Sequence, residues 1–222
     1  MIKPTRLTVS DFDSTLFDVV GFTRALPEAV EAVFGISSET YGAGIKDFYI
    51  KNADELVGYD LVHHLASHNI DLYAEDNKQK LLRQILAIHK TRTGEPDLLY
   101  PDARKLLDRW DNDRDGDLAV ATVNLKEGYE FKRGLCGGRL DDVRSMVVDT
   151  NKGRVLSQNW AGGVVFAGEH YESARVVDDG PTQVEALPVR NDVERIQIVR
   201  PGQRYPRTTD DSIRVIASLD EL

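Results

Sequence analysis

The sequence predicts an α/β fold of the doubly wound class: a mainly parallel sheet, interrupted after its first strand by an all-helical insertion. Three observations predict it. The short β-branched run Leu7-Thr8-Val9-Ser10 stops abruptly at two carboxylates, Asp11 and Asp13, as a strand does where an open sheet meets its ligand. From about residue 100 onward, apolar runs of strand length alternate with segments of helical period, the pattern of strands joined by crossover helices. Between these two pieces, roughly residues 19 to 97, the spacing of apolar residues is helical.

The elements follow in order. After Asp18, residues Leu26, Ala29, Val30 and Val33 recur at helical spacing, and Gly35 is suited to end the run. Tyr41, Ile45, Phe48 and Tyr49 predict a second helix, weakened by Gly42 and Gly44. Leu61, Val62 and Leu65 predict a third, and Leu81, Leu82, Ile85 and Ile88 a fourth. Pro101 suits a first helical turn, and Ala103, Leu106, Leu107 and Trp110 then mark a core-facing helix. Residues 111–117 read as a polar turn, and Leu118 to Val123 as a buried strand. A helix over Lys126 to Leu135, broken by Gly137-Gly138, is followed by a strand at Met146 to Val148. Next come a helix from about Lys152 to Trp160, a strand over Ala174 to Val177 and a short helix over Pro181 to Leu187. Ile196 to Val199 and Ile213 to Ala217 close the chain as strands, separated by an exposed loop with Pro201, Gly202 and Pro206. No internal repeat or low-complexity segment is present.

Composition narrows the function. The chain has 222 residues, enough for one large domain or a medium domain with a smaller insertion. Hydrophobic content of 41% and charged content of 29% are those of an ordinary globular protein. The net charge of −9 argues against a nucleic-acid partner, whose backbone calls for clustered Lys and Arg. An anionic substrate must then meet local positive charge, from a metal and one or two lysines. Cys136 is the single cysteine, so no internal disulfide forms. No apolar run approaches the length that spans a bilayer, and no leader is evident, so a cytoplasmic location without a membrane partner is expected.

The chemistry starts at Asp11 and Asp13. Alternate side chains of an extended segment leave on one face, so both carboxylates point the same way from the strand tip. Like charges held so close repel unless a cation lies between them. A hard divalent ion with oxygen ligands is the remedy, and Mg²⁺ is the usual one.

Asp11-Phe12-Asp13-Ser14-Thr15-Leu16 resembles the first motif, D-x-D-x-T-L, of the haloacid-dehalogenase-like superfamily of phosphohydrolases. The resemblance implies a Rossmann-like catalytic core over residues 1–18 and 98–222, with residues 19–97 as a helical cap that excludes water and selects substrate. It implies that Asp11 attacks phosphorus to form an aspartyl-phosphate, and that Asp13 is first acid and then base. Thr122, at the end of Leu118-Ala119-Val120-Ala121, takes the place of the superfamily's phosphate-binding Ser or Thr. Lys152, in Asn151-Lys152-Gly153, takes the place of its Lys or Arg, with Lys126, Lys132 and Arg133 as rivals. The pair Asp178-Asp179 would complete a Mg²⁺ site with an oxygen of Asp11 and the backbone carbonyl of Asp13, and either member could be the ligand. A strand over Val164 to Ala167 ending in Gly168-Glu169 is a rival for that place, and Gln183 stands where a further acidic residue is often found.

The expected activity is Mg²⁺-dependent hydrolysis of a small phosphorylated metabolite. The proton that Asp13 can supply to an alkoxide favours phosphomonoester chemistry over dehalogenation. A phosphoryl transferase resembling the sugar-phosphate mutases would use the same residues, distinguished by a long-lived aspartyl-phosphate. A non-catalytic phosphate-binding module of the same fold would release no phosphate at all. Residues 111–117 imitate the start of an EF-hand loop, but Thr122 occupies the twelfth position where that loop needs a bidentate Glu. His63, His64 and His68 have no metal-site spacing and are expected on a solvated helix face.

Overall fold

The computed structural model of the chain describes residues 5–52, 55–113, 116–202 and 205–222. The elements, in chain order, are β1 (Arg6–Ser10), α1 (Val19–Phe34), α2 (Ser38–Gly44), β2 (Tyr49–Asn52), β3 (Glu55–Tyr59), α3 (Leu61–Ser67), α4 (Glu75–Thr93) and α5 (Pro101–Asp113). They continue with β4 (Asp117–Val123), α6 (Lys126–Arg133), β5 (Arg144–Val148), α7 (Lys152–Asn159), β6 (Val164–Phe166), β7 (Glu169–Tyr171), β8 (Ser173–Asp178), α8 (Pro181–Glu185), β9 (Val193–Ile198) and β10 (Arg214–Ile216). Two compact units result: Met1–Phe17, Leu99–Thr122 and Asp142–Leu222 form the first, and Asp18–Leu98 with Val123–Asp141 the second.

The first unit is built on a six-stranded sheet of order β10-β9-β8-β1-β4-β5. β1 runs parallel to both β4 and β8, β8 to β9, and β9 to β10. This is the doubly wound α/β class that the alternating pattern predicts. Consecutive strands step outward from β1 on one side through β4 and β5, then return to its other side at β8. Ligands of such sheets gather outside the carboxyl ends of the strands at this reversal. One face of the sheet is a continuous apolar layer. Leu7 and Val9, Ala119 and Ala121, and Ala174 and Val176 alternate onto it and meet Leu156 of α7 and Trp160 at the helix's C-cap. The Trp160 indole N–H donates to Val165 O at 2.7 Å, so this large ring is buried with its polar atom satisfied.

The second unit holds α1 to α4 and α6. α1 is capped by the Asp18 side chain, which accepts from Gly21 N, and ends at Gly35 in the left-handed conformation (φ 74°). Its buried residues Phe22, Ala25, Leu26, Ala29 and Val30 follow the predicted helical stripe. The expectation of helix throughout this segment requires one correction. The helix predicted over Tyr41 to Tyr49 stops at Gly44, continues as a 3-10 turn over Ile45–Phe48, and gives way to an antiparallel ladder of β2 with β3. Gly42 and Gly44 lower helix propensity, while Tyr49 and Ile50 pair with Tyr59 and Gly58 across the ladder. The all-helical description therefore fails at these strands.

Smaller differences lie elsewhere. Residues 111–113, read from sequence as turn, extend α5 by a helical turn, and residues 114–115 of the EF-hand-like stretch lie outside the described residues. α8 ends at Glu185, short of the expected Leu187. Among the described residues, no helix is long and apolar enough to cross a membrane.

Candidate active site

β1 delivers Asp11 to the carboxyl edge of the sheet. Its ladder with β8 pairs Ser10 with Val177, and the Asp11 N–H continues it by donating to Val177 O at 2.8 Å. The register places Asp11 beside Asp178 and Asp179, where β8 ends. On the other side Ser10 pairs with Val120 of β4, which brings Thr122 to the same edge. Asp11 is 4% exposed, Asp178 1%, Asp179 7% and Thr122 1%. Carboxylate oxygens of Asp11, Asp178 and Asp179 all lie within 4.8 Å of one another.

Lys152 reaches this cluster from the first turn of α7. Its ammonium donates to Asp11 Oδ1 and lies 2.8 Å from Asp178 Oδ2. The start of α7 is held from two sides. Asn151 caps the helix by accepting from Arg154 N at 2.9 Å, and Gln183 Oε1 accepts from Lys152 N at 2.9 Å. Gly153 permits this contact, because a Cβ there would stand 2.0 Å from Gln183 O. Gln183, which replaces a frequent acidic residue of the resembled motif, thus holds the backbone of Lys152.

The electrostatics follow from burial. Desolvation pushes the Asp11 carboxyl up to about 7; Lys152 pulls it down, while Asp178 and Asp13 push it up. Desolvation together with the charges of Asp11 and Asp178 pushes Asp179 up to about 8, against the pull of Lys152. Burial opposes the Lys152 charge, but Asp11 and Asp178 outweigh it and hold the ammonium protonated well above its ordinary range. Asp13, half-buried just beyond the strand, adds its charge to both Asp11 and Asp179.

One ammonium therefore serves the cluster of Asp11, Asp178 and Asp179, to which Asp13 adds a further charge. The Asp178 oxygens are engaged, Oδ1 by Gly180 N at 2.9 Å and Oδ2 by Lys152. Among the described residues, no donor bonds the Asp179 carboxylate. The Thr122 Oγ1 is buried with no hydrogen-bond partner among them, although buried polar atoms are as a rule paired. A dense set of hard oxygen donors with surplus negative charge and an unsatisfied hydroxyl beside it fits a divalent cation and an oxyanion.

Neither a protein-family model nor a curated protein matches the sequence. Solved structures do. A HAD phosphatase from Thermococcus onnurineus superposes with a TM-score of 0.56 at 20% identity, over 97% of this chain and 95% of the other. A haloacid dehalogenase-like hydrolase from Burkholderia xenovorans gives 0.53 at 16% identity, over 87% and 83%. A dehalogenase gives 0.50 at 16% identity, over 100% and 96%.

The chain has the haloacid-dehalogenase-like fold.

Within this haloacid-dehalogenase-like fold the rival residues belong to elements other than β1, β8 and α7. Lys126, Lys132 and Arg133 belong to α6 in the second unit. Ala167-Gly168, both at positive φ, form the tight turn of the β6–β7 hairpin, and Glu169, which opens β7 opposite Phe166, is exposed near Arg144. The histidines require a correction. His63 is exposed and paired with Asp60, but His64 is buried between the rings of Tyr41 and Phe48, at 4.1 and 4.3 Å. Its Nδ1 shares a 2.6 Å hydrogen bond with the Tyr59 hydroxyl, which places it in the core of the second unit.

One residue near the site is absent from the sequence reading. Gln197, fully buried on β9, donates to Asp179 O at 3.1 Å and Pro206 O at 2.9 Å and accepts from Thr208 N at 2.7 Å. The available signal was an amide between Ile196 and Ile198 in a strand that is otherwise apolar at its end.

Proposed function

We propose that the protein is a Mg²⁺-dependent hydrolase of a small phosphomonoester, acting through an aspartyl-phosphate. The observation that carries this reading is the convergence of Asp11, Lys152, Asp178 and Asp179 at the carboxyl edge of β1 and β8. A carboxylate oxygen of Asp11 attacks phosphorus, and the bond from phosphorus to the ester oxygen breaks. Asp13 gives its proton to the departing alkoxide. Asp13 then takes a proton from water as that water attacks the phosphorus of the acyl phosphate. The Asp11 carboxylate is released and inorganic phosphate leaves.

Lys152 keeps Asp11 ionised and, with the Thr122 hydroxyl, stabilises charge on the phosphoryl oxygens. Asp11 and Asp179 would hold the cation with the backbone carbonyl of Asp13; Asp178, whose oxygens already serve Gly180 and Lys152, would orient Lys152 and close the acidic set. Bound Mg²⁺ supplies charge neutralisation for the anionic substrate. The insertion over residues 19–97 is read as the segment that selects the substrate. The dehalogenase likeness is one of fold, and the carboxyl at position 13 suits an oxygen leaving group. The test is phosphate release from a panel of phosphorylated metabolites with MgCl₂, before and after chelation. Turnover that disappears with chelator and in Asp11→Asn supports the reading, and full turnover in Asp11→Asn rejects it.

A further inference from the structure

The segment that carries Asp13 leaves the sheet after Asp11 and folds into a tight turn. Phe12 O accepts from Leu16 N at 2.9 Å and Phe17 N at 2.8 Å, and Ser14 sits at φ 64°, a conformation unfavourable for a residue with a Cβ. Asp11 is fixed independently of this turn, by Val177 and Lys152. Asp13 lies on this turn, outside the ladder of β1, and bridges to Phe17 across it, so what holds the turn bears on where Asp13 sits.

One side chain from a distant part of the chain does so. Arg200, just past β9, donates from Nη2 to Thr15 O at 2.9 Å. The guanidinium is itself locked. It meets Asp102 with both terminal nitrogens, Nη2 to Oδ1 and Nη1 to Oδ2, each at 2.9 Å. Its carbon lies 4.1 Å from the centre of the Tyr100 ring. Asp102 in turn accepts from Ser218 Oγ at 2.9 Å and Leu219 N at 2.8 Å. The Arg200 side chain is 11% exposed and that of Asp102 8%, so the fork is mostly withdrawn from water, where such pairs are geometrically exacting.

We propose that Arg200 is a positioning residue for the acid–base carboxylate: through Thr15 O it fixes the turn that aims Asp13, with Asp102 and Tyr100 fixing Arg200. Its structural part stands apart from the proposed function, and its catalytic consequence rests on that reading. The fork is needed for geometry rather than charge. A lysine could keep an ion pair with Asp102 but could not present two rigid N–H vectors to Asp102 and Thr15 together.

The experiment compares wild type, Arg200→Ala and Arg200→Lys in the full chain. Amide hydrogen exchange of residues 12–17 is expected to rise by about tenfold or more in both variants, with β1 and β8 unchanged. Turnover of an alkyl phosphate is expected to fall about 10²-fold, as a displaced catalytic group predicts. Turnover of p-nitrophenyl phosphate should fall much less, because its leaving group needs no proton. A general loss of folding would lower both substrates equally. Unchanged exchange in the 12–17 turn of either variant overturns the assignment, as does an equal loss with the two substrates. If exchange rises as expected but wild type releases no phosphate from any monoester, the proposed function fails and the positioning assignment stands.

Discussion

At Lys152 the argument turns on compensation. A buried ammonium shared by Asp11 and Asp178 has a large desolvation cost that only its partners offset. Lys152→Met removes the cation and leaves those carboxylates without it. The expected result is a loss of about 3–5 kcal/mol in urea unfolding of the metal-free protein, with activity reduced at least about 10²-fold. Asp179→Asn has the opposite sign in chelator. Its carboxylate adds like charge to Asp11 and Asp178 without a hydrogen bond to offset it, so removing the charge should stabilise the metal-free protein by roughly 1–2 kcal/mol. The same variant should lose the stabilisation that Mg²⁺ confers, and thermal melts with EDTA and with MgCl₂ read both effects.

Between elements, close approach decides. α7 and α8 meet where Gly153 lies against Gln183 O. Gly153→Ala forces these backbones apart, at a cost of about 1–3 kcal/mol, and moves Lys152 with α7; denaturant unfolding and turnover should fall together. The link from α5 to the C-terminal turn is electrostatic. Burial tends to raise the Asp102 carboxyl, but hydrogen bonds from Arg200, Leu219 and Ser218 outweigh it and hold it below its ordinary value. A depressed carboxyl contributes stability that is complete above the unfolded value, about 3.9, and is lost as pH falls through the folded one. Wild type should therefore lose stability on acidification below about pH 4 more steeply than Asp102→Asn, as measured by denaturant midpoints at successive pH values.

Across the whole molecule, ligand binding and folding are linked. A cation that binds the folded acidic set at a hundred times its dissociation constant adds about 2.7 kcal/mol. For a chain of this size that corresponds to a rise of roughly 5–10 °C in the thermal midpoint. A scan against MgCl₂ should show this rise in wild type, and its absence there would remove the cation from the site.

Much of this was legible in the residues. The period-two apolar set of β1, the apolar runs of β4 and β8 and the helical stripes between them are local patterns, and local patterns carry secondary structure and the doubly wound class. Asp11 and Asp13 stood out because two carboxylates at a strand end need a reason. Thr122, Lys152 and Asp178-Asp179 were found through a resemblance of order along the chain, and strand adjacency alone could test whether β1, β4 and β8 stand side by side. Other features left no trace in sequence. Tyr49 reads from its spacing as part of a helix, and the pairing of Tyr49 and Ile50 with Tyr59 and Gly58 overturns that reading. His64 looks like a surface residue until Tyr41 and Phe48 close on it. Arg200 is one arginine near a loop, and its partners Thr15, Asp102 and Tyr100 lie far from it along the chain. Periodicity is set by each residue's near neighbours, so the sequence by itself determined most of the elements, their class and the acidic residues that stand out at strand ends. Which oxygens remain open, what orients Lys152 and what braces the turn of Asp13 depend on contacts between segments distant in sequence, and those exist only once the chain is packed.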